Sequence, residues 1–294
     1  MGDTGTTPDG STNTMNEMNN EGGPKSNIAD LYNRVASVYG CVGPDSFAYA
    51  GRHLVERAGI TAGARVLDVG VGRGANLFPA AEKVGPRGQV IGIDLADQML
   101  AETTAEIERR HILNASVRQM DAEQLAFDSA SFDYVLCGFA VFLFPHLEQA
   151  LSEFFRVLHS SGKLGITVGH DPDALSRWYS QRLTEYHNQY HFPLNASGVN
   201  LDLSKLPAYL VRAGFVDVHV LYENAEFIYT GAQQWWDAKW THGTRYSLEH
   251  MTPEVLEQFK TEVFARLEEE KRPDGIHEEW HLQFVLGTRG TESE

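Results

Sequence analysis

The chain has 294 residues, with 24 Lys and Arg against 40 Asp and Glu and a formal charge of −16; it lacks the clustered cations that nucleic acid or an anionic membrane surface requires. Its two cysteines, Cys41 and Cys137, exclude a disulfide framework or zinc knuckle and point to a reducing, cytoplasmic setting. The longest charge-free apolar stretch, Tyr134 to Pro145, is about half of the ~20 residues a membrane helix needs, and the opening residues do not read as a secretory signal.

Residues 1–26 are Gly, Asn, Thr and Asp with little apolar surface, which predicts a disordered tail. Ile28, Leu31, Tyr32, Val35, Val38 and Tyr39 then recur at helical spacing up to Gly40, and a second helix is expected from Pro44 to Ile60. Strands are predicted at 64–70, 88–94, 115–120, 131–138 and 162–169, with helices near 74–84, 97–111 and 145–159 between them. Such alternation, with nearly continuous apolar strands, predicts an α/β fold: a Rossmann-like, doubly wound, mostly parallel sheet whose strand ends share one ligand-binding edge. Beyond 170 come helices at 173–190 and 203–213, a strand at 215–230 interrupted near Asn224, helices at 231–241 and 252–271, and a last strand at 279–288. The charged side chains of 252–271 read as a solvated face. The expected organisation is a tail at 1–26, a helical lid at 27–62 and a core at 63–170. The remainder, 171–294, completes the sheet and carries helical cap insertions at 171–202 and 231–278.

The chemistry is carried by the segment Val66 to Asn76, a strand that runs into the glycine turn of Gly70, Gly72 and Gly74. Glycine there permits positive φ and lets backbone N–H groups approach a ligand. Twenty-four residues past Gly70, a second strand ends on Asp94, a carboxylate able to accept both hydroxyls of a ribose. Gly70, Gly72 and Ala75 also satisfy a dinucleotide fingerprint, so an NAD(P)-dependent oxidoreductase is an alternative. Asp68 weighs against it, because a nicotinamide fingerprint usually has an apolar residue there. Asp121 after the third strand, and Cys137 and Gly138 ending the fourth, add further elements in order.

At these residues the chain resembles the class I S-adenosylmethionine-dependent methyltransferases, in particular the small-molecule group that includes the ubiquinone/menaquinone C-methyltransferases. The resemblance implies a seven-stranded sheet and S-adenosylmethionine as cofactor. It implies that the turn containing Asp68, Gly70, Gly72, Gly74 and Asn76 cradles the methionyl part, with Asp94 on the ribose. Leu95 and Met99 would pack near the adenine, Asp121 and Ala122 would meet its amino edge, and Cys137 and Gly138 would offer backbone to the methionyl ammonium. His159-Ser160-Ser161 stands where the family more often has Lys-Pro-Gly, a change expected to be harmless in a surface turn. Tyr32 or Tyr39 would close over the cofactor from the lid, or both are core aromatics of an amphipathic helix.

The implied reaction is methyl transfer to an O, C or N atom of a bulky apolar or aromatic small molecule; a cofactor-binding protein of this fold without methyl transfer is a further alternative. All five tryptophans lie beyond residue 170, so the cap is expected to shape the substrate pocket, with Phe139, Trp178, Tyr186, Trp236 and Trp240 as walls and Arg245 as a partner for a substrate carboxylate. His170, directly after the fifth strand, and His242 are the candidate general bases. No metal-ligand spacing is visible. The expected partner is a small-molecule substrate, with neither nucleic acid nor membrane, and a second copy of the chain is the candidate protein partner.

Overall fold

The computed structural model describes residues 23–290. Residues 1–22 of the expected tail lie outside it, and Pro24–Ser26 already belong to the first helix. Among the described residues no helix is long and apolar enough to cross a membrane.

Seven strands form one sheet: β1 (Arg65–Val69), β2 (Gln89–Asp94), β3 (Ala115–Gln119), β4 (Phe132–Gly138), β5 (Leu158–Gly169), β6 (Phe215–Tyr229) and β7 (Ile276–Arg289). Their order is β3-β2-β1-β4-β5-β7-β6. The first five pair in parallel, while β7 runs antiparallel between β5 and β6. Strand order reverses between β1 and β4, which opens a crevice at their carboxyl ends, where ligands bind in doubly wound sheets.

The central strands are apolar almost throughout because helices cover both faces. On one face lie α2 (Ser46–Ala58), α3 (Leu77–Val84) and α4 (Asp97–Arg109), contributing Leu54, Leu77 and Leu100 to a shared core with Val66, Val90 and Leu136. On the other face α5 (Leu147–Val157) inserts Leu147, Ala150, Leu151, Phe154 and Val157, a stripe at helical spacing, against Leu67, Val135 and Ile166. α7 (Leu206–Arg212) adds Leu206 and Leu210 to that second core. The lid helix α1 (Pro24–Val35) lays Ile28, Leu31 and Val35 on Ala96 and Met99 beside α4.

The cap consists of α6 (Ala174–Tyr190), between β5 and β6, together with α8 (Ala232–Lys239), α9 (Arg245–Glu249) and α10 (Pro253–Glu270), inserted between β6 and β7. It has its own core, in which Val255, Phe259, Val263 and Leu267 of α10 meet Tyr179, Tyr186, Trp235 and Trp236. Glu254, Glu257 and Glu268 to Glu270 of α10 face solvent as its polarity suggested, but Glu262 and Arg266 turn into the cap, to Tyr186 and Arg182 and to Trp178.

Three local features differ from the sequence reading. The last two strands pair without a break from Phe215↔Arg289 to Tyr229↔Ile276, and the irregularity falls between Val216 and His219 rather than near Asn224. Asp217 takes φ 51° there, and the polar run around Asn224 is accommodated because β6 is an edge strand with one side open to water. The α9 helix was not anticipated, being too short to show periodicity. Ser161, expected in a surface turn, lies in the irregular start of β5 and adopts φ 64°, the left-handed region that costs a non-glycine residue about 1–2 kcal/mol, so the departure from glycine there carries a strain.

Candidate active site

Two glycines explain the shape of the turn after β1. Gly70 has φ 67°, and a Cβ there would lie 2.5 Å from the Ala140 Cβ. Gly72 has φ 47°, but the nearest atom to a Cβ built on it is Tyr39 Cε1 at 3.9 Å, so its front side faces open cleft. The Gly72 N–H donates to Asp94 Oδ2 at 2.9 Å and the Ala96 N–H to Oδ1 at 3.0 Å. The turn and the end of β2 are therefore clamped together. Burial pushes the Asp94 carboxyl above its usual pKa, opposed by those backbone donors.

Beneath the turn, Asp68 is fully buried. Its Oδ1 accepts from Asn76 Nδ2 at 2.9 Å, while Oδ2 has no hydrogen-bond partner. Desolvation raises its pKa to about 7. Gly138 is needed beside this pair, since a Cβ on it would sit 2.8 Å from Asn76 Nδ2. Cys137 is completely buried and its thiol is pushed far up by desolvation, so only its backbone is available for chemistry.

Tyr32, Gly70, Gly72, Asp94, Leu95, Met99, Asp121, Ala122, Gly138 and Phe139 line one cleft. Gly74 and Asn76 line the groove that continues it, and Asp68 and Cys137 lie below its floor. The structure thus brings the sequence-derived cofactor residues together. These residues fit an adenosyl sulfonium ligand: an acidic, half-paired carboxylate at one end for an ammonium, a backbone cradle free of Cβ atoms in the middle, and carboxylates toward the other end.

Tyr32 and Tyr39 both line the cleft from the lid, with ring centroids 6.1 Å apart; burial, with Asp94 nearby, holds both phenols protonated. The lid is pinned by Lys25, whose Nζ donates to Asp121 Oδ2 at 2.6 Å and also pairs with the buried Glu123. Glu123 in turn accepts from the His146 N–H at 2.7 Å.

An aromatic box stands beside the cleft. Tyr39 stacks on Phe47 at 5.0 Å, and Phe47 meets Phe139 at 5.6 Å and Trp280 at 5.3 Å. Phe139 and Trp280 are 5.6 Å apart. Phe139 is held at φ 52°, a conformation costly for a bulky residue. Its N–H bonds the Thr167 carbonyl oxygen at 2.8 Å.

The two candidate histidines sit on different sides of this box. His242 packs against Phe47 at 6.3 Å; burial, reinforced by Lys239, lowers its pKa to about 3. His170 continues β5, donating its N–H to the His281 carbonyl oxygen at 3.0 Å. Its ring lies 4.6 Å from that of Tyr222 and 5.8 Å from that of His281. Burial and His281 lower its pKa, against a small opposing pull from Asp171. His170 lines a cavity of about 760 Å³ that shares Phe139 with the cofactor cleft.

The cap aromatics stand elsewhere. Tyr186 is buried and donates its hydroxyl to Glu262 Oε1 at 2.7 Å. Trp236 packs on Phe259, Phe264 and Trp240, and Trp178 lies under Arg266. These four side chains build the cap's own core rather than the wall of the cleft or of the His170 cavity. Arg245 is paired with Glu249 within α9 and lines neither the cleft nor the His170 cavity; Glu249 also receives Arg34, and that pair joins lid to cap. Phe47, Trp280, Tyr222, His281 and Lys25 were missed by sequence reasoning. The alternation of β7 placed Trp280 and His281 on opposite faces, but nothing in the chain alone says which face meets the cleft. Among the described residues no group of three or more His, Cys, Asp or Glu is arranged to hold a metal ion.

Residues 66–162 match the model of a methyltransferase domain. The nocamycin O-methyltransferase of Saccharothrix syringae is 32% identical over 87% of this chain and 96% of its own length. The aklanonic acid methyltransferase DauC of a Streptomyces species is 39% identical over 49% of the chain and 65% of its own. The chain belongs to the class I S-adenosylmethionine-dependent methyltransferases. The YcgJ protein of Bacillus subtilis superposes with a TM-score of 0.57 at 19% identity, covering 83% of this chain and 99% of its own, which shows the fold. S-adenosylmethionine is thus the cofactor, and the oxidoreductase alternative falls away.

Proposed function

We propose that this methyltransferase acts on an oxygen atom of a bulky, largely apolar small molecule. The observation that carries this reading is the aromatic box of Tyr39, Phe47, Phe139 and Trp280 between the cofactor cleft and the His170 cavity. Such rings exclude water and present flat apolar surface to an acceptor. The choice of oxygen is supported by the relative that aligns over nearly its whole length, which is an O-methyltransferase.

When bound, the cofactor supplies an electrophilic methyl group on a sulfonium. The chain's part is to hold the acceptor about 3–3.5 Å from that carbon and in line with the breaking bond, which supplies much of the rate. Asp94 and Asp121 fix the nucleoside end and Asp68 the methionyl end. The lid tyrosines cover both, and the π-faces of Tyr39 and Phe139 favour a cationic sulfur over its neutral product form.

Incubation with labelled S-adenosylmethionine and a panel of polycyclic phenols, enols and carboxylic acids tests the reading. Label in an ether or ester product is expected. Product labelled on carbon or nitrogen would overturn the choice of oxygen, and bound S-adenosylhomocysteine with no product from any acceptor would favour a protein that keeps the cofactor without using it.

A further inference from the structure

The cavity beyond Phe139 contains chemistry that cofactor binding does not use. It opens at the carboxyl end of β5 and runs between β6, β7 and the segment 201–204. Leu201, Leu203 and Trp280 give it apolar wall, and Asp202, Ser204, Tyr222, Glu279 and Gln283 give it a polar rim. His170 lines it, and its Nε2 is buried with no hydrogen-bond partner. A buried ring nitrogen without a partner carries a desolvation cost, and a ligand hydroxyl brought to it would remove that cost. Phe139 lines this cavity and the cofactor cleft alike, in a strained conformation that puts its ring at the junction. Of the two histidines, only His170 borders this cavity.

We propose that this cavity is the acceptor chamber, and that it takes a flat, fused-ring molecule whose reacting group is a weakly acidic hydroxyl, a phenol or an enol, hydrogen-bonded to His170 Nε2. This rests on the methyl-transfer reading. As the oxygen forms its bond to the methyl carbon, the carbon–sulfur bond breaks and its electron pair stays on sulfur. The hydroxyl proton passes to His170 Nε2 and from there to water. The groups that face His170 are compatible with that role. They are His281 and Glu279 on β7, which pair with each other at 3.4 Å, the Tyr222 phenol on β6 and Asp202 from the outer segment. The adjoining Asp171 is engaged by Arg177 at 2.7 Å. Burial and the neighbouring His281 disfavour a charged His170, with Asp171 pulling the other way, and this favours the neutral ring that a proton acceptor needs.

The probe is 2-hydroxyanthraquinone, whose absorption reports its ionisation. With the full chain saturated in S-adenosylhomocysteine, the dye should bind, and its apparent pKa in the complex should be lower with wild-type protein than with His170→Gln by about one unit or more. Leu203→Trp, which fills the chamber from its outer wall, should abolish dye binding while leaving S-adenosylhomocysteine affinity within about twofold. For any hydroxyl acceptor that is turned over, His170→Gln should lower kcat at pH 7 by about 10²-fold or more. KM should stay nearly unchanged, and more acidic acceptors should lose less. Undiminished dye binding in Leu203→Trp, or the same bound-dye pKa in His170→Gln, would overturn the proposal. A wild-type protein that binds no S-adenosylhomocysteine would overturn the methyl-transfer reading instead, and the dye measurements, repeated without it, still judge the chamber.

Discussion

Asp68 has one carboxylate oxygen held by Asn76 and one unpaired, inside a fully buried site. Its folded pKa of about 7 stands against 3.8 for the free group, so the folded chain holds a proton that the unfolded chain releases. Below pH 3.8 both states are protonated and the site costs nothing. Across the window from 3.8 to about 7, stability falls with rising pH at up to about 1.4 kcal/mol per unit and is level above it. Asp68→Asn keeps the bond from Asn76 and removes the titration. Denaturant unfolding of the cofactor-free protein should show the variant gaining about 2–4 kcal/mol on wild type between pH 4 and 8. At pH 8 the same variant should bind S-adenosylhomocysteine at least about tenfold more weakly, because on the proposed reading the cofactor's ammonium loses the buried negative charge beneath the floor of the cleft. An equal pH dependence in both proteins would contradict this account of the site. The buried acid was legible in the sequence because Asp68 interrupts an apolar strand. The carboxylate's missing partner was not, since it depends on how Asn76 folds back eight residues later.

Among the elements, the lid shows how apolar packing and a latch divide the work. Ile28, Leu31 and Val35 seat α1 on Ala96 and Met99, which sets where the helix lies. Lys25 then spans from its first turn to Asp121 and Glu123 at one end of the cleft. The Lys25–Asp121 pair is about one-third exposed and contributes up to about 1 kcal/mol, while the buried Glu123 keeps the His146 N–H as a donor when Lys25 is removed, so the latch governs opening without governing the fold. Lys25→Ala should therefore speed release of S-adenosylhomocysteine by about twofold to tenfold, with thermal stability changed by little. Stopped-flow measurements at rising salt should show wild type approaching the variant, as screening weakens the latch. A salt response identical in both would assign lid closure to the apolar contacts alone. The lid helix could be read from its periodicity, and the five parallel strands from their apolar runs and glycine turns. The cap could not be read in the same way. Trp236 and Trp240 at helical spacing look alike whether they face a partner helix or a ligand, and only the packing of α10 against them decides it.

At the scale of the whole molecule, the described residues gather into cores on the two faces of the sheet, a lid cluster and a separate cap core, and the far ends of β6 and β7 carry most of the cap. The pairing of Tyr229 with Ile276 closes the base of the insertion that carries α8, α9 and α10. Just beyond it, Lys239 of α8 donates to Glu278 of β7 at 3.0 Å in a buried pair, and Ser176 of α6 donates to the same carboxylate oxygen at 3.0 Å. Two helices of the cap thus converge on one charge of the sheet, and Lys239 also covers the Trp235 ring at 4.0 Å. Removing one partner of a buried pair leaves the other charge uncompensated, at a cost of about 3–5 kcal/mol, whereas neutralising both can be nearly free. Lys239→Met should accordingly loosen the cap, and Lys239→Met combined with Glu278→Gln should restore most of the loss. Because the cofactor cleft is built from α1, the glycine turn and the ends of β2 and β4, the single variant should retain S-adenosylhomocysteine binding while hydrogen exchange rises in α8 and α10. Exchange rising equally across β1 and β4 would mean that cap and sheet unfold as one unit. Protection unchanged in α8 would mean that the cap core of Phe259 and Trp236 holds without the pair.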